Sequence, residues 1–258
     1  MHNKIAISAI ALITVSSIFG CATTHTQSEL DKKYQAAIID AAQVSEAEIS
    51  KNLYAVNKEN KDLIWNVDGS KILVATWSSK NKFDKHIKQN NRTSDNAKFL
   101  TWVTLVPQVH NLCHGYIERK QKTTKEEVDL RLKQYLGLPH TNEYDIFVEM
   151  WVSPKDLFRP CVDPEIHDTR CHLHFEEGNI PNVKNIKEYD EFYRNLYYGS
   201  IRSKTKGVFP WTGLGYTHDW GNPLSKVGAS EYILSPGSAY DIKEVMPTMK
   251  YCEMDYAK

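Results

Sequence analysis

Residues 63–77 have the sequence LIWNVDGSKILVATW, in which two apolar, β-prone arms flank an Asp68-Gly69 dipeptide. Asp-Gly between such arms is a strong signal for a tight hairpin turn, because glycine readily adopts the positive φ that these turns need. The stretch therefore predicts a strand, a turn and a second strand. Further β-prone runs occur at 99–106, 144–152, 232–234 and 240–245.

Helical patterns alternate irregularly with these strands. Apolar residues recur at steps of three and four through 29–57, which predicts an amphipathic helical segment at the start of the domain. The Thr-Thr-Lys-Glu-Glu run at 123–127 predicts a capped helix start, and 189–201 predicts another helix. Because there is no regular βαβ rhythm, we expect a single α+β domain over 29–258, with a largely antiparallel sheet and flanking helices.

The composition excludes several classes of protein. The 258 residues carry 32 basic and 32 acidic side chains, so the formal net charge is zero, and 41% are hydrophobic. A disordered chain would show a charge imbalance and few aromatic residues, and a general nucleic-acid binder would show a basic excess. We therefore expect a globular domain that does not bind nucleic acid. No G-x-S-x-G elbow, P-loop or G-x-G-x-x-G motif is present.

The first twenty residues differ in character from the rest of the chain. Lys4 precedes an apolar run over 5–18, which is typical of a secretory signal peptide and too short for a stable membrane span. The run ends in Ile-Phe-Gly-Cys at 18–21, which resembles the lipobox of bacterial lipoproteins over about the first 22 residues. The alternative is an ordinary cleavable signal in which Cys21 has no special role.

The resemblance implies cleavage after residues 1–20 and attachment of lipid, including palmitate, to Cys21. Alanine rather than aspartate at position 22 favours, by the same resemblance, the outer membrane. The Thr-rich stretch 21–28 would then be a tether. Each buried methylene contributes about 0.8 kcal/mol, so several acyl chains would hold the protein firmly at the membrane. We therefore expect a lipid-anchored protein of the cell envelope, on the outer membrane.

Four cysteines remain after Cys21, and an even number in an exported protein favours two disulfide bonds. Cys161 and Cys171 bracket a short loop, so we expect these two to pair. That pairing leaves Cys113 with Cys252. Chain order alone does not decide between this pairing and the two alternatives.

Two histidines next to Cys171 are candidates for a metal site. His172 and His174 are two residues apart, so they would share one face of a strand, and zinc accepts imidazole ligands. Zinc is therefore a candidate cofactor, and the sequence leaves the cofactor unknown. The alternative is a pair of structural histidines beside a disulfide, because an oxidised cysteine cannot act as a ligand.

The segment 209–223 is rich in glycine, proline and aromatic residues. Loops of this composition often form binding sites, because aromatic rings with polar tips stack on sugars and peptides. We therefore expect Trp211, Tyr216 and Trp220 to line a binding surface. The alternative is that these rings belong to the core.

Three residues are candidates for catalysis. His218 has the chemistry of a general acid or base, and Glu231 is a candidate carboxylate at the start of a strand. Arg159 lies between Phe158 and Pro160 and is a candidate for pairing with an anionic ligand. A purely structural role is the alternative for each of them.

The leading hypothesis is a non-catalytic outer-membrane lipoprotein whose exported domain binds a cell-envelope protein or polymer through an aromatic-rich surface. One alternative is a periplasmic or surface enzyme, either a metal-dependent hydrolase or one that uses His/Glu acid–base chemistry. It predicts that His218, Glu231 and Arg159 share one pocket. The other alternative is a structural or assembly lipoprotein of a surface or secretion machine, which would present a flat apolar patch.

Overall fold

Six α-helices and seven β-strands form the regular structure within residues 26–120, 122–202 and 207–256, which the computed structural model describes. The strands are β1 (Ile72–Ser78), β2 (Thr101–Leu105), β3 (Ile146–Val152), β4 (Leu157–Phe158), β5 (Tyr216–His218), β6 (Val227–Leu234) and β7 (Tyr240–Pro247). The helices are α1 (Gln27–Ala41), α2 (Lys80–His86), α3 (Val106–Arg119), α4 (Lys125–Tyr135), α5 (Tyr189–Arg202) and α6 (Thr248–Glu253). The predicted signal peptide at 1–20, Cys21 and most of the predicted tether at 21–28 lie outside the described residues.

The seven strands belong to one curled antiparallel sheet. The strand order is β4-β6-β2-β1-β3-β7, and β5 pairs with another stretch of β6. Every described strand pair is antiparallel. The mixture of helices with an antiparallel sheet confirms the predicted α+β class.

Both faces of the sheet are buried at its central strands. Successive side chains of a strand point to opposite faces. On one face, Ala75 and Phe147 belong to a core that also contains side chains of α3, α4 and α6. On the other face, Val74 and Val148 pack with side chains of α2 and of irregular chain segments. The central strands are consequently apolar on both sides.

The hairpin predicted at 63–77 is present as a turn, but its first arm is not a regular strand. Gly69 has a φ of +69°, and the Asp68 carboxylate accepts a hydrogen bond from the Ser70 amide at 2.8 Å. The first arm pairs with β1 only through a bridge between Trp65 and Ile72. The reason is that β2 and β3 occupy the two edges of β1, which leaves no edge for a longer first arm.

The helical segment predicted at 29–57 is shorter than expected. Helix α1 begins at Gln27, inside the predicted tether, and ends at Ala41. After a single 3-10 turn at Glu46–Glu48, the chain is irregular and bonds to distant segments. The Leu53 amide donates to the Thr169 carbonyl at 2.9 Å, for example. The prediction of a helix beyond Ala41 is therefore wrong.

Other elements agree with the local signals more closely. Helix α4 begins after a capping box in which Thr124 and Glu127 bond reciprocally to each other's backbone. Helix α5 and the strands β2, β3 and β7 lie where they were predicted. Strand β6 begins at Val227, five residues before the predicted start, so Glu231 lies inside the strand and not at its start. Helix α3 was not predicted. It follows β2 directly and has Pro107 in its first turn, a position that tolerates the missing amide hydrogen.

Two disulfide bonds join the four described cysteines in the favoured pairing. Cys113 of α3 bonds to Cys252 of α6, across a sequence separation of 139 residues. Cys161 bonds to Cys171, across a separation of 10 residues. All four side chains are buried. The long-range bond fastens the C-terminal helix to the helical layer, and the short-range bond closes a loop that follows β4.

Candidate functional site

The three aromatic residues predicted to line a binding surface lie inside the domain. Trp211, Tyr216 and Trp220 are only 5%, 2% and 8% exposed. Each polar tip has an internal partner. The Trp220 indole donates to the Leu138 carbonyl at 3.1 Å, and the Tyr216 hydroxyl donates to the Glu48 carbonyl at 2.9 Å. These rings do not form an exposed surface, because they fill space between elements of the domain.

Two glycines explain why this segment packs so closely. Gly213 and Gly215 have φ values of +66° and +73°, in the left-handed region that favours glycine. A Cβ atom at Gly215 would lie 2.5 Å from Cδ of Arg159 and 2.6 Å from Sγ of Cys171. A Cβ atom at Gly213 would overlap the Tyr193 hydroxyl. The glycines therefore permit a close contact between backbone and side chains inside the domain.

His218 fastens α1 to the sheet. Its Nε2 atom lies 2.8 Å from Oδ2 of Asp40 in α1, and the Nζ atom of Lys226 lies 2.6 Å from the other oxygen of that carboxylate. Burial acts to raise the pKa of Asp40, but the hydrogen bonds from Lys226 and His218 outweigh it, so the pKa is lowered. The charged form of Asp40 is thus stabilised between the Lys226 ammonium and the His218 ring.

The carboxylate that orients His218 could not be found from local sequence. Asp40 is 178 residues away in the chain, and no motif links the two positions. Asp219, the adjacent candidate, has another role. Its two oxygens accept hydrogen bonds from the Arg131 guanidinium at 2.8 and 2.6 Å, which joins β5 to α4.

Glu231 is a buried carboxyl group on β6. One of its oxygens accepts a hydrogen bond from the Trp211 indole at 3.0 Å. Burial raises the pKa of Glu231 to about 8, although the indole hydrogen bond acts in the opposite direction. The group is therefore largely protonated at neutral pH, and its polar contact is the indole N–H of the buried Trp211.

Arg159 is fully buried and belongs to a different network. Its guanidinium donates to the Asp168 carboxylate at 2.8 Å and to the Arg170 carbonyl at 3.1 Å. It also lies over the Tyr232 ring, with 5.9 Å between Cζ and the ring centroid. Tyr232 directly follows Glu231 on β6, so their side chains point to opposite faces of the sheet. Arg159 therefore braces the loop closed by the Cys161–Cys171 bond.

The structure does not connect the three candidate catalytic residues. His218 contacts Asp40, Glu231 contacts Trp211, and Arg159 contacts Asp168, while no hydrogen bond or ion pair in the described chain joins any two of the three. An open cleft of about 620 Å³ lies elsewhere and is lined by other residues: Arg92, Asp95 and residues 182–187. The arrangement resembles three separate packing and anchoring contacts more than one catalytic pocket.

The candidate metal ligands lie on the surface of the disulfide-closed loop. His172 is exposed and lies 3.4 Å from the Asp163 carboxylate, and His174 is also exposed. The adjacent Cys171 is oxidised and cannot coordinate as a thiolate. Among the described residues, no group of three or more His, Cys, Asp or Glu side chains is arranged to hold a metal ion.

Comparison with known proteins gives no relative from which a function could be transferred. The chain matches no protein-family model, no curated protein and no solved structure. Within the part of the chain that the structure describes, no helix is both long and apolar enough to cross a membrane. Function must therefore be argued from the residues and their contacts.

Proposed function

We propose that the protein is a lipid-anchored component of the cell envelope, attached to the outer membrane through Cys21, whose exported domain binds a cell-envelope protein or polymer. The observation that carries the proposal is the combination of a lipobox-like segment with a domain closed by two buried disulfide bonds. Disulfide bonds persist in oxidising compartments and are rare in the cytosol, so they support export independently of the N-terminal segment.

The surface that we propose for binding is the exposed side of α5 around Tyr198. Tyr198 is 56% exposed, and its ring centroid lies 5.8 Å from that of Tyr197. The Tyr197 ring in turn lies 6.3 Å from Trp211, whose indole is 6.4 Å from Trp102. An exposed ring backed by this aromatic layer is held in place, and tyrosine suits contacts with sugars and peptides. The buried Trp211 would thus support binding from behind rather than contact the partner.

Lipid attachment is tested by metabolic labelling with palmitate. The wild-type protein and a Cys21→Ala variant are expressed in a bacterium that processes lipoproteins, and membrane fractions are compared. We expect label and membrane association in the wild type and loss of both in the variant. Equal labelling of the two proteins would contradict the proposal.

Binding is tested with Tyr198→Ala, and Phe99→Ala is a matched control. Phe99 is also a large exposed aromatic residue, 69% exposed, but no ring contact within the described part of the chain links it to the aromatic layer. We expect purified envelope proteins or wall polymer to be captured less by Tyr198→Ala than by wild type and Phe99→Ala. Unchanged capture by Tyr198→Ala would contradict the role of this surface.

The enzyme alternative retains one favourable observation, which is the buried Glu231 with its pKa raised to about 8. A hydrolase that used this carboxyl as an acid would need it to reach a substrate. Its one polar side-chain partner among the described residues, Trp211, is itself buried. Loss of a hydrolytic activity in Glu231→Gln, with the fold intact by circular dichroism, would favour this alternative.

A further inference from the structure

Helix α1 is an integral part of the domain and not of a tether. Leu30, Tyr34 and Ile38 are buried against Trp220 in one hydrophobic cluster. The Tyr34 hydroxyl donates to the Val208 carbonyl at 3.1 Å. Together with the ion pairs of Asp40 at the other end of the helix, these contacts hold α1 along its whole length.

The N-terminal end of α1 is also held in place. Gln27 contacts the His140 ring, and the Asp31 carboxylate lies 3.3 Å from Nε2 of the same ring. The His140 side chain is only 5% exposed. Thr26 caps the helix, and its hydroxyl accepts a hydrogen bond from the Glu29 amide. The chain is therefore part of the domain from Thr26 onward.

Few residues lie between Thr26, where the contacts of α1 begin, and Cys21, the proposed anchor. Five residue steps separate Cys21 from Thr26. Even fully extended, five residues span at most about 18 Å. A domain of roughly 230 residues has a radius of gyration of about 17 Å, which corresponds to a diameter of about 45 Å. The connection is thus shorter than the domain is wide, so the domain cannot turn its far side to the membrane.

We infer that the bilayer surface is an interaction partner of one defined side of the domain, the side formed by the start of α1 and the loop around His140. This inference rests on the proposed attachment through Cys21. Strand β7 provides the comparison position: α1 contacts β5, and five strand steps separate β5 from β7 along the order of the sheet. At about 4.8 Å a step, the path along the curled sheet from β5 to β7 is roughly 24 Å.

The charges on this side of the domain do not explain its proximity to the bilayer. The exposed part of α1 carries Asp31 together with Lys32 and Lys33, and Glu143 follows in the nearby loop. A polybasic surface would be needed to attract anionic lipids. The proximity to the bilayer is therefore set by the length of the connection, and it should persist in high salt, which screens charge interactions between exposed groups.

The experiment uses the full-length lipidated protein in phosphatidylethanolamine/phosphatidylglycerol vesicles that carry a headgroup nitroxide. Lys32→Cys and Ile242→Cys place a single fluorophore on exposed positions of α1 and β7, since the four other cysteines of the domain are paired. We expect several-fold stronger quenching at position 32 than at position 242, in low and in high salt. A matched control inserts twenty Gly/Ser residues after Ala22, which adds about 66 Å of extended chain and should abolish the difference.

The outcomes separate the inference from the proposed function. If the wild-type protein floats with vesicles and the Cys21→Ala variant does not, attachment stands. Equal quenching at both positions, or stronger quenching at 242, would then overturn the orientation alone. If neither protein floats, both proposals fail. A difference that survives the Gly/Ser insertion would also overturn the inference, because the short connection could not be its cause.

Discussion

The two disulfide bonds should stabilise the domain to different extents, and removing each pair separately tests the reason. The variants are Cys113→Ala/Cys252→Ala and Cys161→Ala/Cys171→Ala. Both make the same chemical change at buried positions, so their direct effects on the folded state are similar. They differ in the unfolded chain, because one bond spans 139 residues and the other spans 10.

The expected magnitudes follow from loop entropy. A crosslink lowers the entropy of the unfolded chain by about 2.1 + 1.5R ln n cal/mol/K, where n is the number of residues in the loop. At 25 °C, separations of 139 and 10 residues give roughly 5 and roughly 2.7 kcal/mol. Removing the Cys113–Cys252 bond should therefore lower the free energy of unfolding by about 2 kcal/mol more than removing the Cys161–Cys171 bond. That difference is large beside a total stability of about 5–15 kcal/mol.

Urea unfolding followed by tryptophan fluorescence measures both effects, since the chain has 6 tryptophans. The free energy of unfolding is obtained by linear extrapolation, and the slope should also increase most in Cys113→Ala/Cys252→Ala, because its unfolded chain expands most. The reasoning is refuted if Cys161→Ala/Cys171→Ala loses as much stability or more. The short bond would then act mainly through its folded-state contacts, such as the packing of Cys171 near Arg159.

Three further substitutions have measurable outcomes. Because the pKa of Glu231 rises from 4.5 to about 8 on folding, the folded state holds a proton that the unfolded chain has lost between these pH values. The free energy of unfolding should therefore fall as the pH increases from 4.5 to about 8. In Glu231→Gln, the midpoint of urea unfolding should depend less on pH over this range. Gly215→Ala should lower the free energy of thermal unfolding by about 2 kcal/mol more than Gly178→Ala does. Both glycines have a φ of +73°, but only at Gly215 would the new methyl group overlap Arg159. Asp40→Asn should destabilise the docking of α1 by about 1 kcal/mol, seen as faster hydrogen exchange in α1 and unchanged exchange in β1.

The elements that sequence predicted correctly have local determinants. The Asp68-Gly69 turn and the Thr124 capping box are each formed within a few residues. The chain after Ala41 has a helical pattern of apolar residues but forms only the short 3-10 turn at Glu46–Glu48 and irregular chain, because its backbone bonds to distant segments. The Tyr54 amide, for example, donates to the Ser230 hydroxyl, 176 residues away. Tertiary contacts of this kind override local periodicity and leave no signal in the neighbouring sequence.

The candidate site was misjudged for a related reason. Glycines next to aromatic residues allow a backbone to approach other groups closely, and the approaching group can be a ligand or a side chain of the same domain. At Gly215 that group is the buried Arg159, and at Gly213 it is Tyr193 of α5. A loop that binds a ligand and a loop that packs inside the domain have the same composition, so only the contacts in the structure distinguish them. Tyr193 of α5 packs on Gly213 inside the domain, whereas Tyr198 of the same helix is exposed, so the outer side of α5 is where we propose that a partner would contact this aromatic layer.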